Sequence, residues 1–248
     1  MLKPSDIAVI VLAAGKGVRM QSDLPKVFHN LGSKPLLQHV LECVKGLSPQ
    51  KILVVVGHKK ELIENYFSSW QVNFVHQKEQ LGTGHAVMQA EPYLKDFSGQ
   101  VLVLAGDVPF IKLSTLKKML ELQKKEKAAA VDLTCDLDDP ASFGRVVRNA
   151  AGDFLRIVEK KDATPDELKI KEINTGTFSF NSQDLFLSLK KITNQNVQKE
   201  YYLTDAIEIL QKQGKKVKAF KTNDPLEAVG INTKDELAQA EKMLIRRG

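Results

Sequence analysis

The run Ile7-Ala8-Val9-Ile10-Val11-Leu12-Ala13-Ala14-Gly15-Lys16-Gly17-Val18-Arg19-Met20 decides the fold. Its first eight residues, Ile7 to Ala14, are continuously apolar and read as a buried strand. Small residues and two cations, Lys16 and Arg19, follow at once. Ligands in open α/β sheets bind outside the carboxyl ends of strands. Small residues let backbone N–H groups come close to a phosphate. The loop is therefore a candidate phosphate cradle, and Lys26 in Leu24-Pro25-Lys26 adds a third cation. A plain turn is the competing reading. Two common phosphate motifs are excluded. Met20 stands where G-x-G-x-x-G needs its third glycine, and G-x-x-x-x-G-K-[ST] is absent.

Working outward, apolar runs alternate with segments of helical period. Lys51–Gly57, Val72–Gln77 and Gln100–Asp107 read as further strands. Pro35–Leu47, Lys59–Phe67, Thr83–Ala90 and Leu113–Lys125 read as helices. Strands rich in Val, Ile and Leu between helices predict parallel pairing with helices on both faces. After about Lys127 the rhythm changes. Ala128–Leu137, Gly144–Asn149, Phe154–Glu159 and Glu172–Phe180 read as strands. Asp184–Lys190 and Leu203–Lys212 read as helices, Val217–Lys221 as a strand and Lys234–Arg246 as a last helix. Thr233 and Glu236 have capping-box spacing at its start. The expected class is α/β, a Rossmann-like fold with a mainly parallel central sheet and a β-rich insertion.

The chain has 248 residues, 43% hydrophobic and 27% charged, which suits a globular domain. Its net charge of +6 comes from 36 basic and 30 acidic residues. The lysines fall as scattered doublets such as Lys59–Lys60 and Lys117–Lys118, a pattern of solvated faces, so no nucleic-acid partner is expected. Eight apolar residues cannot span a bilayer, and Pro4 and Asp6 spoil a secretory start, so no membrane partner is expected. Cys43 and Cys135 fit no paired-cysteine spacing, which suits a reducing cytoplasm.

Other runs carry polar chemistry at strand ends. Gln77 precedes Gln80-Leu81-Gly82-Thr83-Gly84-His85-Ala86, a turn that opens a helix, where free N–H groups form a polar site. A simple N-cap at Thr83 competes with that reading, and His85 is read as structural. Asp107 in Leu104-Ala105-Gly106-Asp107-Val108-Pro109 ends a strand in a basic surrounding. It is a candidate Mg²⁺ ligand, against a turn-capping role. Phe143-Gly144-Arg145-Val146, Ile157-Val158-Glu159-Lys160, Glu172-Ile173-Asn174-Thr175-Gly176, Lys199 to Asp205 and Val229-Gly230-Ile231-Asn232 complete the set.

Taken in order from Leu12 to Asn232, these runs resemble the sugar nucleotidyltransferases. Within them, the chain resembles the N-terminal uridylyltransferase (pyrophosphorylase) domain of the bacterial bifunctional N-acetylglucosamine-1-phosphate uridylyltransferase/glucosamine-1-phosphate acetyltransferases. The resemblance implies transfer from UTP to N-acetylglucosamine-1-phosphate, giving UDP-N-acetylglucosamine and pyrophosphate with Mg²⁺ as cofactor. It implies that Leu12, Ala13, Ala14, Gly15, Arg19 and Lys26 wrap the triphosphate, with Arg19, Lys26 and Asp107 catalytic. Gln77, Gly82 and Thr83 are then expected near uracil, and Ala105, Gly106 and Asp107 near the nucleotide. Gly144, Glu159 and Asn174 are expected on the sugar, with Asp107 and Asn232 as metal ligands. Relatives often carry an aromatic residue where this chain has Ala105. One domain is expected, with a nucleotide-binding part to about residue 127, a sugar-binding part over about 128–230, and the metal position and last helix over 231–248.

Three other readings remain: a different sugar-1-phosphate uridylyltransferase such as one for glucose-1-phosphate, an isoprenoid cytidylyltransferase, and a non-catalytic nucleotide-sugar-binding module. The resembled enzymes often continue into a trimerising, acetylating β-helix. These 248 residues are not expected to carry acetyl transfer, and a monomer fits them.

Overall fold

In the computed structural model, residues 6–228 and 230–247 are described, the side chains only as far as residue 245. Pro4, Val229 and Gly248, which entered the sequence reading, lie outside the described residues. Numbered in chain order, the first elements are β1 (Ile7–Ala13), β2 (Asn30–Leu31), β3 (Lys34–Pro35), α1 (Leu36–Lys45), β4 (Lys51–Val56) and α2 (Lys60–Tyr66). Then come β5 (Asn73–His76), α3 (Thr83–Met88), β6 (Gln100–Ala105), α4 (Leu113–Glu126) and β7 (Ala130–Asp136). The remainder is β8 (Arg145–Arg148), β9 (Phe154–Val158), β10 (Glu172–Asn181), α5 (Ser182–Leu189), α6 (Asp205–Lys212), β11 (Val217–Lys221) and α7 (Lys234–Arg247).

β1 lies inside the sheet because both of its faces are apolar. It pairs in parallel with β4 on one side and β6 on the other, with Ile10 opposite Leu53 and Val103. The strand order is β11-β7-β10-β6-β1-β4-β5. The chain leaves β1 towards β4 and β5, then returns to β6 on β1's other flank. That reversal opens a crevice between the carboxyl ends of β1 and β6, where doubly wound sheets bind ligands.

Two apolar layers cover the sheet, as the alternation of strands and helices predicts. On one face α1, α2 and α4 bury Leu37, Val40, Leu41, Ile63, Leu116 and Leu120 against Val9, Val11 and Val54. On the other, α3, α5 and α6 bury Val87, Leu185, Ile207 and Leu210 against Ile10, Leu53 and Phe180. Each such side chain contributes about 1.5–3 kcal/mol on leaving water. Helix α7 docks separately, through Leu237, Met243 and Leu244, on Leu31, Leu36, Phe110 and Ile231. Thr233 and Glu236 form the expected capping box: Glu236 N donates to Thr233 Oγ1 at 3.1 Å and Thr233 N to Glu236 Oε2 at 3.2 Å.

Three details differ from the sequence reading. The β-rich segment is no separate layer, because β7 and β10 extend the central sheet. Val131 and Leu133 face one apolar layer, and Phe178 and Phe180 face the other. β10 runs antiparallel to both β6 and β7, and only the β8–β9 hairpin hangs off the sheet, through Ile173 opposite Arg145. Helix α6 begins at Asp205, not Leu203, and Leu203 N is tied to Thr83 Oγ1 at 3.1 Å. The same bond means Thr83 is no N-cap; Gly82 holds that position in α3.

Candidate functional site

The glycine loop and the Leu-Pro-Lys turn pack tightly together. Gly17 sits in the left-handed region at φ 63°, and a Cβ there would come 2.6 Å from Lys26 Cβ. Glycine is thus required for Lys26 to sit against the loop. Lys26 Nζ forms a charged pair with Asp107 Oδ2 and donates to Asn232 Oδ1 at 2.8 Å. Arg19 Nη2 donates to the same Asn232 oxygen at 3.0 Å. The Asn232 amide is oriented by its own Nδ2, which donates to Gly230 O at 2.8 Å. Ile231 N donates to Asp107 O at 2.9 Å, docking this last segment on the end of β6. Four side chains from three distant parts of the chain therefore converge on one point.

That point opens on a cavity of about 290 Å³ at the crevice between β1 and β6. Leu12, Ala13, Ala14 and Gly15 line it from β1, and Ala105 and Asp107 from β6. Lys26 closes one side, and Gln77, Gly82 and Thr83 close another. Gly106 lies behind the lining, its N donating to Leu12 O at 2.9 Å. Ala105, where the resemblance leads one to expect an aromatic ring, is part of the lining. Gln77 is buried, and its Nε2 donates to Gly82 O at 3.1 Å.

The residues expected on the sugar form a second group. Asn174 N donates to Gly144 O at 3.0 Å, and a Cβ on Gly144 would lie 3.6 Å from Glu159 Oε1. Asn174 Oδ1 accepts from Gly176 N at 2.9 Å. Thr204 Oγ1 donates to Glu159 Oε1 at 3.0 Å. Burial pushes the Glu159 carboxyl up from its ordinary value, and the Thr204 bond opposes that. Antiparallel pairing carries β10 from Phe178, opposite Val103, back past the end of β6 towards Asn174. This brings the second group beside the Asp107 end of the sheet.

Residues 200–204 strap the two groups together, which the sequence alone did not reveal. Gly82, at φ 109°, would place a Cβ 2.6 Å from Tyr201 O. Tyr201 N donates to Leu81 O at 2.8 Å, and Gly84 N to Tyr201 O at 2.7 Å. The strap thus lies against the turn of residues 81–84 at Tyr201 and against Glu159 at Thr204. Glu200 and Gln80 also line the cavity, and neither was singled out from the sequence. The only signal available was their place in runs already notable for polar residues. A larger cleft of about 640 Å³ lies elsewhere, beside Lys45, Lys51 and Asn73, away from the strand carboxyl ends.

The arrangement can hold a polyanion beside two cations, Arg19 and Lys26, next to an oxygen ligand pair. Among the described residues no group of three or more His, Cys, Asp or Glu side chains is placed to hold a metal ion. Nor is any helix of the described residues long and apolar enough to cross a membrane.

Comparison with known proteins bears on the family and the fold. The chain is 48% identical over 238 residues to the bifunctional protein GlmU of Streptococcus gordonii, and 48% identical over 239 residues to that of Lactobacillus delbrueckii subsp. bulgaricus. Each match covers 96% of this chain and 52% of the relative, so the chain spans about half the length of these curated relatives. The resemblance read from the ordered motifs is borne out. Among solved structures, UDP-glucose pyrophosphorylase complexed with UDP-glucose superposes with a TM-score of 0.77 at 19% identity, over 97% of this chain and 99% of that one. A glucose-1-phosphate thymidylyltransferase from Bacillus anthracis gives 0.73 at 20% identity, over 96% and 94%. These two establish the fold. A family model described as the MobA-like NTP transferase domain matches residues 9–161, more than half the chain, and it is to this family that the chain belongs.

Proposed function

We propose that this domain transfers a uridylyl group from UTP to N-acetylglucosamine-1-phosphate, releasing pyrophosphate. The observation that carries the proposal is the convergence of Arg19, Lys26, Asp107 and Asn232 over a small-residue cavity at the strand carboxyl ends. A basic, backbone-lined crevice suits a nucleoside triphosphate. Similarity to the GlmU proteins supports uridine and N-acetylglucosamine as the two halves of the product.

A phosphate oxygen of the sugar phosphate attacks the α-phosphorus of UTP. A new P–O bond forms as the bond to the β-phosphate oxygen breaks, and pyrophosphate leaves with the electron pair. No general base is needed, because a phosphate monoester's second pKa is about 6 and the nucleophile is already ionised at neutral pH. Catalysis is then positioning and charge stabilisation. The Leu12–Gly15 backbone cradles the triphosphate. Lys26 and Arg19 neutralise the charge that accumulates on the departing pyrophosphate. Gln77, Gly82 and Thr83 face the base, while Gly144, Glu159 and Asn174 hold the sugar's hydroxyl and acetamido groups.

The donor set at Asp107 and Asn232 fits a hard divalent cation. Asp107 Oδ2 and Asn232 Oδ1 both reach one ammonium, Lys26 Nζ, so two oxygens meet at a single cationic position. Mg²⁺ typically uses one or two carboxylates and completes its shell with phosphate oxygens and water. Bound there, Mg²⁺ would supply Lewis-acid neutralisation of the phosphate oxygens.

In this proposal, residues to about 127 serve the nucleotide, about 128–230 the sugar, and 231–248 the metal position and last helix. A cytoplasmic setting, where UTP is the substrate pool, belongs to the same reading. The test is pyrophosphate release from UTP with N-acetylglucosamine-1-phosphate and Mg²⁺. Turnover with glucose-1-phosphate alone would transfer the assignment to another sugar.

A further inference from the structure

Gln77 is held by more than the turn beside it. Its Nε2 donates to Gly82 O at 3.1 Å and stands 3.1 Å from His85 Nδ1. Across the imidazole, His85 Nε2 stands 3.2 Å from Gln89 Nε2. Two amide nitrogens thus face two ring nitrogens. A neutral imidazole has one donor nitrogen and one acceptor nitrogen, so only one of these amides can donate to it. The Gly82 carbonyl, together with the burial of Gln77, decides which. It can only accept, so it fixes the nitrogen of the Gln77 amide beside it. The second N–H of that nitrogen points to Nδ1, which must then be the bare ring nitrogen. The ring proton sits on Nε2. Gln89 Nε2 also donates to His85 O at 3.0 Å, but Gln89 is only half-buried and can leave the ring for water, whereas the buried Gln77 amide cannot.

We infer that His85 is a positioning residue for base selection, locking the Gln77 amide so that its oxygen faces the cavity. The inference rests on the uridylyl-transfer reading. Gln77 lines the cavity, and none of the described residues is bonded to its Oε1. A fixed acceptor suits a base whose central edge atom is an N–H donor, as uracil's N3 is. Cytosine presents a bare N3 there, setting a lone pair against a lone pair. Without His85 the amide keeps one tether, at Gly82, and exchanging oxygen for nitrogen by rotation costs one hydrogen bond fewer. The cavity then presents a donor more often than before, and discrimination between the two pyrimidines falls.

The test compares kcat/KM for UTP and CTP in the full chain and in two variants. His85→Leu removes both ring nitrogens while keeping apolar bulk. His85→Asn returns an acceptor oxygen near the Nδ1 position. The expected result is an approximately tenfold fall in the UTP-to-CTP ratio for His85→Leu, the worth of about one hydrogen bond. KM for UTP should rise with kcat within about twofold, and His85→Asn should recover most of the ratio. A fall in kcat and thermal stability with an unchanged ratio would overturn the inference, since a merely structural histidine behaves that way. Nitrogen-15 NMR of the unmutated protein decides the matter independently of whether the variants fold or UTP turns over. A neutral ring protonated on Nε2 supports the lock, and one protonated on Nδ1 overturns it. Absence of any turnover with UTP would instead sink the uridylyl-transfer reading, and the tautomer would still report whether Gln77 is locked.

Discussion

Gly17→Ala is the sharpest probe of how the loop places Lys26. The residue sits at φ 63°, where an L side chain costs roughly 1–2 kcal/mol. The new Cβ would lie 2.6 Å from Lys26 Cβ and 3.2 Å from Lys26 Cα and N. Ordinary contact begins at 3.4 Å, so the two segments must separate by close to an ångström. None of these atoms is the far end of a flexible chain, so the strain moves the backbone that carries the ammonium. A misplacement of about 1 Å can cost about 100-fold in rate. The expected result is a melting temperature lower by about 2–8 °C, from 1–2 kcal/mol at 2–4 °C per kcal/mol for a chain of this size. With it, kcat/KM for UTP should fall by about two orders of magnitude. Circular-dichroism melting and a coupled pyrophosphate assay read the two effects separately. A variant that melts a few degrees lower yet keeps kcat/KM within threefold of the parent would refute the idea that this contact positions a catalytic cation.

The remaining predictions address single groups. Asp107→Ala should abolish turnover while circular dichroism shows the fold intact; a near-normal rate with Mg²⁺ would remove Asp107 from the chemistry. Lys26→Ala should lower the rate by about 100-fold or more, as loss of one charge-stabilising donor does, and an unchanged kcat/KM would exclude its role. Thr204→Val deprives Glu159 of its hydroxyl donor. It should raise KM for the sugar phosphate up to about tenfold and leave KM for UTP unmoved. Asp205 is pushed up to about 6 by burial and then by Glu208, Glu159 and Asp162. A carboxyl whose folded value is raised favours folding while protonated, and that contribution is lost as pH rises from about 4 through 6. Asp205→Asn should therefore raise the melting temperature at pH 7.5, with the gain shrinking towards pH 4; a gain independent of pH would contradict the assignment.

Much of the fold was legible because its strands are buried on both faces. β1, β4 and β6 are nearly continuous Val, Ile and Leu, and each bounding turn follows from local chemistry. The direction of β10 was not legible, since an apolar strand carries no mark of parallel or antiparallel pairing. Of the site, the individual runs could be read, but their meeting could not. Lys26 touches Asp107 and Asn232 across 81 and 206 residues of chain, contacts that only the sheet order creates. The strap from Glu200 to Thr204 was hidden for the same reason. Its links to Leu81 and Thr83 use backbone and hydroxyl groups, and its link to Glu159 joins a hydroxyl to a carboxylate far away in the chain.

The most direct measurement is pyrophosphate release from UTP, with Mg²⁺, across a panel of sugar-1-phosphates. Uridylyl transfer to N-acetylglucosamine-1-phosphate predicts the highest kcat/KM for that sugar, little release with CTP, and none without a sugar phosphate. Absence of release with every sugar phosphate, or a preference for CTP, would contradict it.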